Sequence, residues 1–141
     1  MKEITYGYLL GDDIKVDIGL GAITKMYFSR RLNYYTAEAI FIGDTAMQLL
    51  VYLLERAEHK VVTYSDILHD VWDQRDLVSS YKRLNQVISE LRDKLEYVGL
   101  PSDFIITIRG QGYQINRTQA IKCLYSKLVV SGEDESTTHA L

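Results

Sequence analysis

Cysteine and proline are almost absent from the chain: each occurs once among 141 residues, as Cys123 and Pro101. One cysteine makes no internal disulfide, so no cross-linked secreted scaffold is expected. Histidine is scarce as well. His59, His69 and His139 have no cysteine or histidine partner at metal-ligand spacing, so no metal site is expected. Long apolar runs are also missing. Leu49 to Leu54 and Ala39 to Ile42 fall far short of the roughly 20 residues that cross a bilayer, and Met1 to Gly11 lacks the apolar core of a signal peptide. A cytoplasmic setting without a membrane span is the expectation. There is no excess of positive charge, since 16 basic side chains face 19 acidic ones.

The distribution of charge changes that picture. Residues 77 to 118 carry six basic and four acidic side chains, and every other stretch is net acidic. Phosphate binding depends on local contacts, so one basic face on an acidic protein can still bind, with acidic flanks weakening non-specific affinity.

Hydrophobic periodicity divides the chain. Ile4 to Ile42 is rich in Tyr, Ile, Val and Thr and alternates at Ile14, Val16 and Ile18, with Gly11-Asp12-Asp13 as a turn, which reads as a small antiparallel sheet. From Asp44, which is placed to cap, Met47, Leu50, Val51 and Leu54 repeat at helical spacing, and this helix is expected to end near Glu58. Ser65 is placed to cap a short second helix with Ile67, Leu68, Val71 and Trp72, before a polar turn from Asp73 to Ser79. A third helix, near Ser79 to Tyr97, puts Leu84, Ile88, Leu91 and Leu95 on one stripe. Gly99 and Pro101 end it. Phe104 to Arg109 and Tyr113 to Ile115 then form a hairpin around Gly110-Gln111-Gly112. Ile121, Leu124 and Leu128 suggest a short amphipathic helix capped by Thr118, and Ser131 to Leu141 is polar and acidic, as expected of a disordered tail. The expected class is therefore α+β: an N-terminal antiparallel sheet, three helices and a C-terminal β-hairpin. The domain is expected over 1–117, with an appended segment over 118–141.

The order of elements and two motifs resemble the DNA-binding domain of the OmpR/PhoB family, with the ToxR/CadC-like branch nearest. Gln86-Val87-Ile88-Ser89-Glu90-Leu91-Arg92-Asp93-Lys94-Leu95 is similar to that branch's recognition helix, and Thr107-Ile108-Arg109-Gly110-Gln111-Gly112-Tyr113 to the family's wing. With Asp66-Ile67-Leu68 and Val71-Trp72, the resemblance spans residues 4 to 116. It departs at the first helix, where Gly43 and Ala46 stand in place of the family's Thr and Glu. No receiver domain is expected ahead of Met1. Because ToxR-like members continue into a membrane span, the sequence is expected to be a stand-alone regulator, nucleoid-associated, or the cytoplasmic fragment of a tethered one.

At about 100 degrees per residue, Lys82, Gln86, Ser89 and Asp93 lie opposite Leu84, with Arg83, Asn85 and Glu90 on the flanks. Gln and Asn pair with adenine, Arg with guanine, and Lys with phosphate or guanine. Glu90 and Asp93 are expected to pair with Lys94 or Arg83, or to sit where the groove is wide. Ser80 joins the candidates. Arg92 reads equally as a phosphate clamp or as half of an intramolecular ion pair. By resemblance, Arg109 at the hairpin tip reaches a minor groove. Tyr113 and Trp72 either touch phosphate or pack inside. The turn residues Asp73, Gln74, Arg75 and Asp76 are candidates for contacting RNA polymerase, or are a solvated connector. Two readings follow: a double-stranded DNA-binding transcription regulator that needs no cofactor, and a winged helix that binds another regulator without DNA. No enzyme signature stands out. The apolar residues after the wing need covering, either by the domain's own sheet or, the expectation slightly preferred, by a second copy in a homodimer through residues 118–130.

Overall fold

The computed structural model describes residues 2–58, 61–73, 80–117 and 119–128. His59, Gln74, Arg75, Asp76, Thr118, Val129 and the tail from Ser131 lie outside the described residues. The chain opens with strands β1 (Lys2–Leu10), β2 (Ile14–Asp17), β3 (Ala22–Ser29) and β4 (Tyr34–Phe41). Helix α1 (Asp44–Glu55) follows, then the short strand β5 (Val62–Thr63) and α2 (Tyr64–Ile67), which widens into a π-helical turn over Leu68–Trp72. Helix α3 (Tyr81–Tyr97), strands β6 (Ile105–Ile108) and β7 (Gly112–Ile115), and a last strand β8 (Ile121–Leu128) complete the described fold. The antiparallel sheet, three helices and wing hairpin expected from periodicity are all present.

The strands make two sheets, one in the order β4-β3-β2-β1-β8 and one in the order β5-β7-β6. Tyr8, Leu10, Ile14, Val16 and Ile23 from the larger sheet and Met47, Leu49, Leu50, Leu53 and Leu54 from α1 are buried in one core with Leu84, Val87, Ile88, Leu91 and Leu95 of α3. The α3 stripe is thus the seam that its spacing implied, widened by Val87. No helix among the described residues is long and apolar enough to cross a membrane.

Several boundaries differ from expectation. Gly43, not Asp44, holds the N-cap position of α1; Asp44 is its first helical residue, where a carboxylate favours the helix dipole. The helix stops at Glu55, three residues before Glu58. The cap of α2 is Thr63 rather than Ser65: Thr63 leaves β5 with extended backbone, and its Oγ1 accepts the Asp66 N–H at 3.2 Å.

The largest correction concerns the segment after the wing. Residues 121–128 form no amphipathic helix; they pair antiparallel with β1 from Leu10↔Ile121 to Lys2↔Leu128, with a bulge between Thr5 and Gly7. The nine residues of β1 otherwise offer a row of unpaired main-chain groups, and satisfying that row outweighs a marginal short helix. Ile121 packs against the domain's own core. Ile121, one of the apolar residues that suggested a dimer through 118–130, is thereby covered from within.

Candidate nucleic-acid interface

Ser80 starts α3. Its Oγ accepts the Arg83 N–H at 3.0 Å and closes the first turn. This hydroxyl, expected on the DNA side, is at work as a helix cap. Beyond it, Lys82, Arg83, Asn85, Gln86 and Ser89 are all exposed, opposite the buried stripe. The acidic residues Glu90 and Asp93 are exposed too. Among the described residues neither makes the expected ion pair; Lys94 instead donates to the Phe41 carbonyl at 3.1 Å, tying α3 to the end of β4.

The hairpin β6–β7 stands beside this helix because of two glycines with different roles. Gly110, in the turn, has φ +75 and open space around it, so only its backbone conformation calls for glycine. Gly112 pairs with both Thr63 of β5 and Ile108 of β6. A Cβ there would lie 1.9 Å from the Val62 carbonyl oxygen, so close approach of β5 requires its absence. Arg109 is left exposed at the turn.

Two side chains fix the wing to the helix. Arg92 donates from Nε and Nη2 to the Ile105 carbonyl, at 3.1 and 2.6 Å, and from Nη2 to Thr107 Oγ1 at 2.8 Å. Of its two expected roles, the intramolecular one is present, as hydrogen bonds to strand β6 rather than an ion pair. Tyr113 is 2% exposed, and its hydroxyl donates to Asn85 Oδ1 at 2.6 Å. Burial, and then the neighbouring Tyr64, raise its pKa above the usual phenol value, with Arg92 opposing, so it remains a donor at neutral pH. The packed reading of Tyr113 therefore describes it.

Trp72 is likewise packed in the core, at 2% exposure. Asp73, just after the π-helical turn, is exposed. Its three companions in the polar turn lie outside the described residues.

Sequence periodicity did not reveal Tyr64 and Tyr81. Tyr64 stacks edge-on against both Tyr113 and Tyr81, with centroids 5.5 and 5.6 Å apart, linking α2, the wing and the start of α3. Tyr81 is 57% exposed and, with Thr63, Ser65, Gly110 and Gln111, borders a shallow groove between the helix start and the wing turn. Both tyrosines sit at helix starts, where no repeat marks them; the signal available was an aromatic beside a hydroxyl cap.

Comparison with known proteins agrees with this architecture. The family model described as "Transcriptional regulatory protein, C terminal" matches residues 37–115. An uncharacterized transcriptional regulatory protein of Bacillus subtilis, YvcP, is 34% identical over 108 residues, covering 75% of this chain and 44% of that protein, so the chain spans less than half of this relative's length. The solved DNA-binding domain of Escherichia coli CadC shares the fold with a TM-score of 0.63, at 18% identity, over 87% of this chain and all of that one. With its recognition-type helix, its wing and a family match across both, the chain belongs to the OmpR/PhoB-type family of transcriptional regulator C-terminal domains, a DNA-binding family rather than an enzyme class.

Proposed function

We propose that the chain is a sequence-specific double-stranded DNA-binding transcription regulator, with α3 in the major groove and the β6–β7 wing in the adjoining minor groove. One observation carries this reading: an exposed row of Lys82, Arg83, Gln86 and Ser89 on α3 stands beside the exposed Arg109, with Arg92 and Tyr113 fixing helix and wing relative to each other. Preset spacing between two DNA-reading elements lowers the ordering cost of binding. Gln86 has the amide chemistry for adenine, Arg83 suits guanine or phosphate, and Lys82 suits phosphate. Asn85 already accepts a hydrogen bond from Tyr113. That leaves its amide group as a donor toward a base acceptor. The polar turn that begins at Asp73 is the place where contact with RNA polymerase is proposed.

The test is a low-salt mobility shift on random duplex, followed by selection of binding sites with wild type and three variants. Gln86→Ala is expected to relax base preference at one position. Lys82→Ala should weaken binding evenly and lower the salt slope by about one contact, and Arg109→Ala should weaken sites with an A/T-rich flank most. No binding to any duplex at low salt would reject the proposal and favour a protein-binding winged helix, a reading supported by the exposed acids Glu90 and Asp93 on the same helix.

A further inference from the structure

The five-stranded sheet has two outer strands, β8 and β4, and they differ in how they are defended. An outer strand presents unpaired N–H and C=O groups, and proteins ordinarily blunt it with lysine, proline or a bulge. Strand β8 carries the exposed Lys122. Strand β4, Tyr-Tyr-Thr-Ala-Glu-Ala-Ile-Phe, has no proline, lysine or arginine, and pairs with β3 in unbroken register from Ala22↔Phe41 to Ser29↔Tyr34. Among the described residues its outer edge has no strand partner.

The direction of that edge follows from two hydrogen bonds. The Ile42 N–H donates to the Gly21 carbonyl, and on the other flank of β3 the Met26 N–H donates to the Asp13 carbonyl. By the alternation of an antiparallel ladder, the even-numbered residues of β4 turn their main chain toward β3 and the odd-numbered ones turn it outward. The Phe41 carbonyl is taken by Lys94. Tyr35, Ala37 and Ala39 remain. Their side chains share the sheet face away from the core, because Ile40, the partner of the fully buried Ile23, lies on the core face. On that outer face Phe28 packs against Tyr35 with centroids 4.8 Å apart, and Met26, Phe28, Tyr35 and Phe41 are all at least 42% exposed. The apolar stripe runs up to the open edge.

We infer that β4 pairs antiparallel with β4 of a second copy of this chain about a two-fold axis at Ala37, so that one sheet runs through both molecules. This register alone meets every local constraint. It sets Ala37 opposite Ala37 and Tyr35 opposite Ala39, all outward-facing residues able to exchange both main-chain hydrogen bonds. Small alanines at the axis leave room for each Tyr35 ring to extend its own stripe across the partner's. Charge agrees: Glu38 falls opposite Thr36, and the basic turns at Arg30-Arg31 lie at opposite ends of the pair. An axis at Glu38 would oppose two carboxylates and require the occupied Phe41 carbonyl. An axis at Thr36 would oppose Ala39 to Asn33, which has φ 54 and is not extended. A two-fold pair would also present its two α3 helices symmetrically, as an inverted repeat requires.

Sedimentation of the intact chain without DNA, from low to high micromolar concentration, tests this independently of any DNA binding. A monomer–dimer equilibrium is expected. Ala37→Lys should raise its dissociation constant by at least about tenfold. Ala37→Pro should do the same by removing an outward N–H that the fold does not use, with an unchanged melting temperature. In a Cys123→Ser background, Ala37→Cys should form a disulfide-linked dimer under mild oxidation, because facing Cα atoms in a hydrogen-bonded pair lie about 5.5 Å apart; Lys122→Cys should not. A chain that stays monomeric throughout, a dimer insensitive to both Ala37 substitutions, or cross-linking through position 122 in place of 37 would overturn the inference.

Discussion

The Tyr113 hydroxyl of the wing donates to Asn85 Oδ1 of the recognition-type helix at 2.6 Å, so a residue in the hairpin orients one on the surface proposed to meet DNA. Tyr113→Phe keeps the packed ring and loses the bond. A stability loss of about 0.5–1.5 kcal/mol is expected, with altered base preference at the position read by Asn85. Thermal melts and site selection together check this. A variant with wild-type melting temperature and wild-type site preference would show that the bond orients nothing.

Arg92 should behave as a structural anchor. Arg92→Ala removes the donors to Ile105 and Thr107 and is expected to cost on the order of 1.5–3 kcal/mol, the range for hydrogen bonds to charged groups. Arg92→Lys should recover only part, because an ammonium lacks the planar fork that serves both acceptors. Denaturant unfolding is the measurement. A loss confined to DNA affinity, with unchanged stability, would restore the phosphate-clamp reading.

The two wing glycines should respond differently to alanine. At Gly110, where space is open, only the positive φ is penalised, at a cost of about 1–2 kcal/mol. At Gly112 the new methyl would meet the main chain of β5 at 1.9 Å, and a larger loss, on the order of 3 kcal/mol or more, is expected because backbone cannot step aside. Equal melting temperatures for the two variants would contradict this ranking.

A pH-dependent cluster joins α1 to the π-helical turn. Tyr52 Oη donates to Asp70 Oδ2, and Asp70 Oδ1 pairs with His69 Nδ1 at 2.8 Å. The Tyr52 hydrogen bond, followed by that of His69, lowers the Asp70 pKa, while the hydrogen bond with Asp70 raises that of His69. Burial first, and then Asp70, push Tyr52 up to about 12. The Asp70 contribution is present above the ordinary carboxylate pKa of about 3.9 and is lost as pH falls through its lowered value. The His69 contribution is full below the ordinary histidine pKa of about 6.5 and is lost as pH rises through its raised value. Tyr52→Phe should move the Asp70 pKa back toward the ordinary range, and His69→Ala should flatten the alkaline limb of stability against pH. Carboxyl titration by NMR and melts across pH measure both; an unmoved Asp70 would remove the hydroxyl from this account.

Residue spacing alone determined the α3 stripe, the alternation of the first strands and the glycine turn of the wing, because each depends on the helical or strand period or on local backbone freedom. The polar face of α3 was legible for the same reason: it is what remains opposite Leu84, Ile88, Leu91 and Leu95. Tertiary structure decided the rest. Ile121, Leu124 and Leu128 fit a helical spacing, yet β8 is a strand because the open edge of β1 is hydrogen-bonded by it, a demand made by residues more than a hundred positions away. Arg92 and Tyr113 had polar atoms suited to DNA, but their partners, Ile105, Thr107 and Asn85, come together only when the wing folds back on α3. A side chain's chemistry is local, whereas whether it faces solvent or a carbonyl is set by which distant segment packs over it.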